Sequence, residues 1–101
     1  MIVAIKDYQF FKKLIQLPVI QEIWLFGSRA RGDNQERADI DLAIYCPDAS
    51  NNNWLTILDI IEAADTLLKI DCIRLDELTD ISPIKNSIIS QGIKVYERTQ
   101  D

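Results

Sequence analysis

Two aspartates, Asp39 and Asp41, stand one residue apart in the apolar run DIDLAIY at residues 39–45. In a strand, alternate side chains share a face, so both carboxylates point to one side while Ile40 and Leu42 point into a core. At about 3.3 Å per residue, their backbone positions lie about 6.6 Å apart, close enough for both to reach one cation. Mg²⁺ prefers oxygen ligands of this kind, together with phosphate oxygens and water. The pair therefore predicts a carboxylate metal site.

An isolated Asp-x-Asp more often lies on the solvent-exposed face of an edge strand. The residues that precede this pair in the sequence favour a metal site. At Gly27 and Ser28 an apolar run meets a turn, where free backbone N–H groups and a Ser hydroxyl can bind phosphate. Gly-Ser alone is more often an ordinary turn and helix cap. Arg29 and Arg31 add positive charge, and we expect only one of them to face a triphosphate. The spacing differs from that of a P-loop, and no lysine follows it.

The helices are predicted from apolar spacing and from capping residues. Residues 3–17 carry apolar side chains at helical intervals, and Pro18 ends the pattern. After the asparagine run at 51–53, apolar residues repeat at three- and four-residue steps from Trp54 to Leu68. The segment SPIKNSIISQG at 82–92 has Ser at the cap, Pro at the first helical position and Gly just past the end.

Four strand-like runs alternate with these helices, at residues 20–27, 39–46, 69–77 and 93–97. The order predicts an α/β (α+β) fold, a small mixed four-stranded sheet packed by helices in two layers, with the helices mainly on one face. The short connection 27–39 suits an antiparallel pair and the helical crossovers suit parallel neighbours, which leaves the strand order open. A chain of 101 residues predicts a single domain, 1–101.

The net charge of −5 argues against direct binding to nucleic acid or to an anionic membrane. No apolar run approaches the roughly 20 residues that span a bilayer, and the first residues lack the pattern of a secretion signal, so we expect a cytoplasmic protein. Cys46 and Cys72 have the spacing of neither a redox pair nor a zinc site, and we expect two reduced core thiols.

Taken together, Gly27 and Ser28, ten intervening residues, and Asp39, Ile40 and Asp41 resemble the signature of the polymerase-beta-like nucleotidyltransferase superfamily. In its short length and in the segments FGSRARGD and DIDLAI, the chain is similar to members of the minimal nucleotidyltransferase (MNT) family of that superfamily. The family carries a third carboxylate on the next core strand, and Asp71 in LLKIDCIRL fits that position. Many relatives have Ser or Thr where this sequence has Ala38, and we expect that difference to have little effect on metal binding.

The resemblance implies a polymerase-beta-like fold and a reaction. Asp39, Asp41 and Asp71 would be the catalytic and metal-binding acids, holding two Mg²⁺ ions, while Gly27 and Ser28 would bind the nucleoside triphosphate, ATP. In HEPN/MNT toxin–antitoxin pairs the partner is a HEPN-domain toxin, so the resemblance implies a hetero-oligomer and transfer of AMP to a hydroxyl of that toxin, with Tyr the leading acceptor.

Two alternatives remain open from the sequence. The chain could be an antitoxin that neutralises its partner by occlusion without catalysis, or the catalytic subunit of a two-component transferase for small molecules. The sequence does not decide the acceptor, the preferred base, the number of nucleotides transferred or the stoichiometry.

Overall fold

A computed structural model of the chain describes residues 5–27 and 39–99. Within these residues four strands form one sheet: β1 (Glu22–Phe26), β2 (Ile40–Tyr45), β3 (Ile70–Arg74) and β4 (Ile93–Glu97). The same part of the chain has three α-helices: α1 (Gln9–Leu14), α2 (Asn51–Glu62) and α3 (Pro83–Gln91). Single 3₁₀ turns cover Ile5–Asp7 and Leu75–Glu77. The predicted alternation of helices and strands is confirmed.

The strand order is β3-β2-β1-β4. β1 runs antiparallel to both of its neighbours, β2 and β4, whereas β2 and β3 are parallel. The short connection therefore joins an antiparallel pair and the α2 crossover joins a parallel pair, as predicted. The order also places β2, which carries Asp41, between two hydrogen-bonded neighbours.

One face of the sheet packs against α1 and α2. The alternate residues of β2 that were predicted to face the core are at most 1% exposed. The buried cluster on this face joins residues of the sheet to residues of both helices: Phe10, Leu14, Ile23, Ile40, Leu42, Ile44 and Ile57. This cluster is the larger of the two cores, and it fixes which face of β2 remains for the aspartates.

The opposite face carries a second, smaller core under α3. Ala43 of β2, Leu75 and Ile88 of α3 are buried there, with Trp24 and Phe26 of β1 packed against them. The prediction that the helices lie mainly on one face therefore holds, since α1 and α2 share a face, and α3 lies on the other. A small side chain at Ala43 leaves room for Ile88 to reach the sheet.

α1 is shorter than the predicted helix 3–17, of which residues 3 and 4 lie outside the described part of the chain. Its N-cap residue, Tyr8, gives no side-chain cap. The carboxylate of Asp65 accepts the backbone N–H groups of Gln9 and Phe10 instead, at 2.9 and 3.1 Å. These hydrogen bonds lower the pKa of Asp65. The start of α1 is therefore set by a residue far along the chain.

α2 begins inside the asparagine run, because Ser50 and Asn53 form a capping box in which each side chain accepts from the other's backbone N–H. It ends at Glu62, six residues before the predicted end at Leu68. Ala64 and Leu68 still pack on the core from the segment that follows the helix. Apolar spacing alone did not distinguish that segment from helix.

α3 matches its sequence signals closely. The Ser82 hydroxyl accepts the backbone N–H of Lys85 at 3.3 Å, and Pro83 occupies the first helical position. Gly92 ends the helix at a φ of −76°, an ordinary backbone conformation. A Cβ at Gly92 would lie 2.4 Å from the carbonyl oxygen of Ile88 and 3.2 Å from that of Leu25. Its hydrogen atom allows α3 to end directly against β1.

Gly92→Ala is therefore expected to lower the free energy of unfolding by about 1–3 kcal/mol, since the neighbouring atoms are backbone and cannot rotate away. Urea denaturation measures the change. Ser90→Ala, an exposed substitution on the same helix, is the control and should stay within about 0.5 kcal/mol of the parent. Equal stability of Gly92→Ala and the parent would contradict the close packing.

Cys46 and Cys72 are free thiols on the α1/α2 side of the sheet, as predicted. Burial raises the pKa of Cys46 to about 11 and that of Cys72 to about 12, so both thiols stay protonated at neutral pH.

In residues 5–27 and 39–99, no helix combines the length and the apolar character required to cross a bilayer.

Candidate active site

The parallel pairing of β2 and β3 brings two of the predicted acids side by side. Asp41 and Asp71 are partners in the strand register, next to the paired Ile40 and Ile70. Because Ile40 is buried under α1 and α2, Asp41 points to the α3 side of the sheet. Asp39 precedes β2 by one residue and is exposed. The three acids thus lie at one end of the two strands.

The charges of these carboxylates affect one another. The pKa of Asp41 is raised above its usual 3.8, first by burial and then by the negative charges of Asp71 and Asp39. Asp71 is also close enough to share a hydrogen bond with Asp41, which raises the pKa further. Mutual repulsion of this kind is relieved by a proton or by a cation.

Lys69 lies beside these acids, and none of the sequence motifs predicted it. Its Nζ lies 3.6 Å from Oδ1 of Asp71, and its charge lowers the pKa of Asp41. The Lys69 side chain is 70% exposed, so this pair contributes little to stability. A lysine two residues before an acid on one strand could have been noticed, since alternate strand residues share a face.

Gly27 lies directly against Asp41. It follows Phe26, which pairs with Asp41 in the β1–β2 register. Its φ of 78° is in the left-handed region, and a Cβ there would stand 2.4 Å from Oδ2 of Asp41. Only glycine therefore allows the turn to approach the carboxylate so closely. Ser28, Arg29 and Arg31, and the helical turn predicted after Gly27, lie outside the described residues.

The donor set suits a hard divalent cation. Asp39, Asp41 and Asp71 supply carboxylate oxygens, the ligands that Mg²⁺ prefers. Burial, followed by the negative charges of Asp71 and Asp39, raises the pKa of Asp41, and a bound cation would offset both effects. Within residues 5–27 and 39–99, no group of three Asp, Glu, His or Cys side chains is already arranged to hold one metal ion. Asp41 and Asp71 are the closest pair, and Asp39 lies at the exposed edge.

Comparison with known proteins identifies the family of the chain. Residues 9–101 match the family described as polymerase beta, nucleotidyltransferase. The chain therefore belongs to that nucleotidyltransferase family. The mixed four-stranded sheet with its helices is the fold of the family.

Two relatives share the sequence more specifically. The chain is 26% identical over 87 residues to the protein adenylyltransferase MntA of Shewanella oneidensis, a match that covers 84% of this chain and 60% of that protein. It is 32% identical over 75 residues to a putative protein adenylyltransferase of Methanocaldococcus jannaschii, covering 74% of this chain and 71% of that one. The matched region is thus about three fifths of the length of the Shewanella protein.

Two solved structures share the fold. A toxin–antitoxin complex with AMP-PNP superposes with a TM-score of 0.65 at 24% identity, covering 90% of this chain and 73% of the other. A complex of a tri-AMPylated Shewanella oneidensis HEPN toxin with an MNT antitoxin gives a TM-score of 0.55 at 22% identity, covering 86% and 69%.

Proposed function

We propose that the chain is a metal-dependent nucleotidyltransferase that moves AMP from ATP to a hydroxyl group of a HEPN-domain partner protein and thereby acts as an antitoxin. The observation that carries the proposal is the register pairing of Asp41 with Asp71, beside a glycine turn that touches Asp41. The names of the two adenylyltransferase relatives and the AMPylated HEPN toxin in one similar structure support the choice of reaction and partner.

Asp39, Asp41 and Asp71 would hold the cation, for which we propose Mg²⁺, two ions at full occupancy. A bound divalent cation supplies positive charge to phosphate oxygens and lowers the pKa of an acceptor hydroxyl. Gly27, with Ser28, would bind the triphosphate through backbone N–H groups and the Ser hydroxyl. AMP-PNP, the nucleotide in one similar complex, is an analogue of ATP, which supports ATP as the donor.

The transfer itself is a substitution at the α-phosphorus. The acceptor oxygen, for which we propose a tyrosine hydroxyl, forms a bond to that phosphorus while the bond to the bridging oxygen of the β-phosphate breaks, and pyrophosphate leaves. The acceptor proton would go to a carboxylate oxygen of Asp71, which lies beside Asp41 in the strand register. The protein's part is positioning and charge balance, which needs no protein nucleophile.

The test is incubation of the chain with the product of a neighbouring gene, ATP labelled in the α-phosphate, and Mg²⁺. Label should appear on the partner, with a mass increase of one or more AMP units, and should vanish with the Asp39→Asn, Asp41→Asn double variant. Asp59→Asn, an exposed acid on α2, is the matched control. Labelling that persists in the double variant, or protection of cells by that variant, would reject the catalytic role of these acids.

Gly27→Ala should slow transfer by roughly 10- to 100-fold, because the new Cβ displaces the Asp41 carboxylate. The left-handed backbone should also lower the free energy of unfolding by about 1–2 kcal/mol. Gly27→Asn separates the two effects, since Asn tolerates positive φ but carries the same Cβ. If Asn restores both transfer and stability, contact with Asp41 is irrelevant. Initial rates and urea denaturation provide the measurements.

A further inference from the structure

A groove of about 460 Å³ lies between the end of α2 and the start of β3. This volume is within the roughly 300–1,000 Å³ typical of ligand pockets. Most of its described walls are apolar, and they include Leu58, Ile61, Glu62, Thr66, Leu68 and Ile70. The groove therefore has room for an apolar side chain of another molecule.

Three leucines at this groove pack in neither core. Leu58 belongs to its wall, and Leu55 lies one turn earlier on the same stripe of α2. Leu67 follows the wall residue Thr66. Within the part of the chain that the structure describes, none of the three leucines packs against either buried cluster. Leu67 is fully exposed and Leu55 is 56% exposed, and grouped apolar side chains of this kind are typical of a protein–protein contact.

The sheet order fixes the direction from which an acceptor reaches the acids. β2, which carries Asp41, lies between β1, which Gly27 follows, and β3, which carries Asp71. In phosphoryl transfer the attacking and leaving oxygens are roughly in line, on opposite sides of the phosphorus. If the pyrophosphate leaves at Gly27, the acceptor therefore approaches from the β3 side.

The groove between α2 and β3 is on that side of the acids. Ile70 lines the groove on the α2 face of the sheet, and the next residue, Asp71, points to the α3 face. No strand of the described sheet lies beyond β3, so another protein can cross this edge and contact both faces. A second groove, of about 320 Å³, lies beside Gly27 between β1, β4 and α3, on the side of the leaving group. It is therefore less suited to the acceptor.

We propose that the groove between α2 and β3 is the docking site of the partner protein, which packs an apolar side chain against Leu58 and Leu67 while its acceptor hydroxyl lies at Asp71. This inference rests on the proposed function, which supplies the partner and the position of the pyrophosphate. Glu62 adds an exposed carboxylate to the wall of the groove, in a chain with a net charge of −5. The complementary surface of the partner is therefore an apolar side chain beside a lysine or an arginine.

The test compares Leu67→Glu with Ile81→Glu, a matched control that places the same charge on a side chain that is 87% exposed and lies outside the groove walls. The product of the neighbouring gene is the ligand in calorimetry and the varied substrate in initial-rate measurements. Leu67→Glu should raise the Kd and the KM for this protein about tenfold, with kcat and the affinity for AMP-PNP within about twofold of the parent. Ile81→Glu should change none of these quantities.

The charge of Glu62 is tested separately. Glu62→Gln should weaken binding of the same partner about threefold at low ionic strength and by less at high ionic strength, because salt screens an exposed charge. A loss that does not depend on salt would contradict the proposed complementarity of charge.

The outcomes separate the docking site from the proposed function. Unchanged Kd and KM in Leu67→Glu overturn the docking site, while label on the partner still supports the transfer. Equal losses in Leu67→Glu and Ile81→Glu also overturn it. If sedimentation shows a dimeric parent and a monomeric Leu67→Glu that binds the partner as the parent does, a second copy occupies the groove and the proposal is rejected. Conversely, weaker binding by Leu67→Glu alone supports the docking site even if no partner is labelled, a result that would reject only the transfer.

Discussion

Asp41→Asn is expected to reduce adenylyl transfer by about 1,000-fold or more and, in the absence of divalent cations, to raise the thermal stability of the protein at neutral pH. The substitution lowers activity but raises stability because the same carboxylate contributes to both properties. It would bind the cation in the proposed reaction, yet without a cation its charged form is disfavoured first by burial and then by the charges of Asp71 and Asp39.

The pH dependence follows from the raised pKa of Asp41. Between its usual value of 3.8 and its higher value in the folded chain, the folded state binds a proton that the unfolded state does not. The contribution of this group to the free energy of unfolding therefore falls as the pH rises through that window, and it stays low at neutral pH. An amide carries no charge, so Asp41→Asn should show a flatter stability profile.

The measurements are initial transfer rates and thermal denaturation across pH 4 to 8, with and without Mg²⁺. Binding stabilises the state that binds, so added Mg²⁺ should raise the Tm of the parent and leave that of Asp41→Asn nearly unchanged. Asp59→Asn on α2 should leave the rate and the Mg²⁺ response unchanged. A variant that is less stable than the parent without metal at neutral pH would contradict the repulsion that we infer.

Local patterns predicted the elements that carry the site. Alternation in DIDLAIY correctly predicted which β2 side chains enter the core, because one buried face of a strand fixes the positions of all its side chains. The cap and proline signals of α3 were equally reliable, since they act within one helical turn. Asp71 was predicted as a third acid only through a family resemblance, and the structure places it opposite Asp41.

Features that depend on distant residues could not be predicted in the same way. The adjacency of Asp41 and Asp71 requires β3 to lie beside β2, which only the sheet order decides. The start of α1 depends on Asp65, and the groove beside Gly27 exists because α3 packs on the face that the acids share. None of these contacts produces a periodic pattern of residues from which it could be predicted.

At one end of the β2–β3 pair the carboxylates repel one another, and at the other end hydrogen bonds hold the two strands together. Where β2 and β3 end, Nε of Arg74 donates to Oδ2 of Asp76 at 2.9 Å, and Nη2 donates to the carbonyls of Cys46 and Ala49 at 3.1 and 3.0 Å. Oδ1 of Asp76 accepts the backbone N–H of Cys46 at 3.0 Å. This cluster joins the segment after β2 to the end of β3.

Arg74→Met should therefore be among the most destabilising single substitutions in the chain. The Arg74 and Asp76 side chains are only 12% and 10% exposed. The variant therefore leaves a poorly solvated carboxylate without its cationic partner and the Ala49 carbonyl without the Arg74 donor, while the Cys46 carbonyl keeps only the N–H of Ala49. We expect the free energy of unfolding to fall by about 3 kcal/mol or more.

Lys85→Met is the matched control for this prediction, because it removes a lysine whose partner, Asp80, is 98% exposed. That pair should contribute about 0.2–1 kcal/mol. Urea denaturation of both variants gives the comparison, and a loss in Arg74→Met no larger than that in Lys85→Met would show that the cluster does not hold β2 and β3 together. If it does, Arg74→Met should also weaken Mg²⁺ binding, since separating the strands moves Asp41 away from Asp71, whereas Lys85→Met should leave Mg²⁺ binding unchanged.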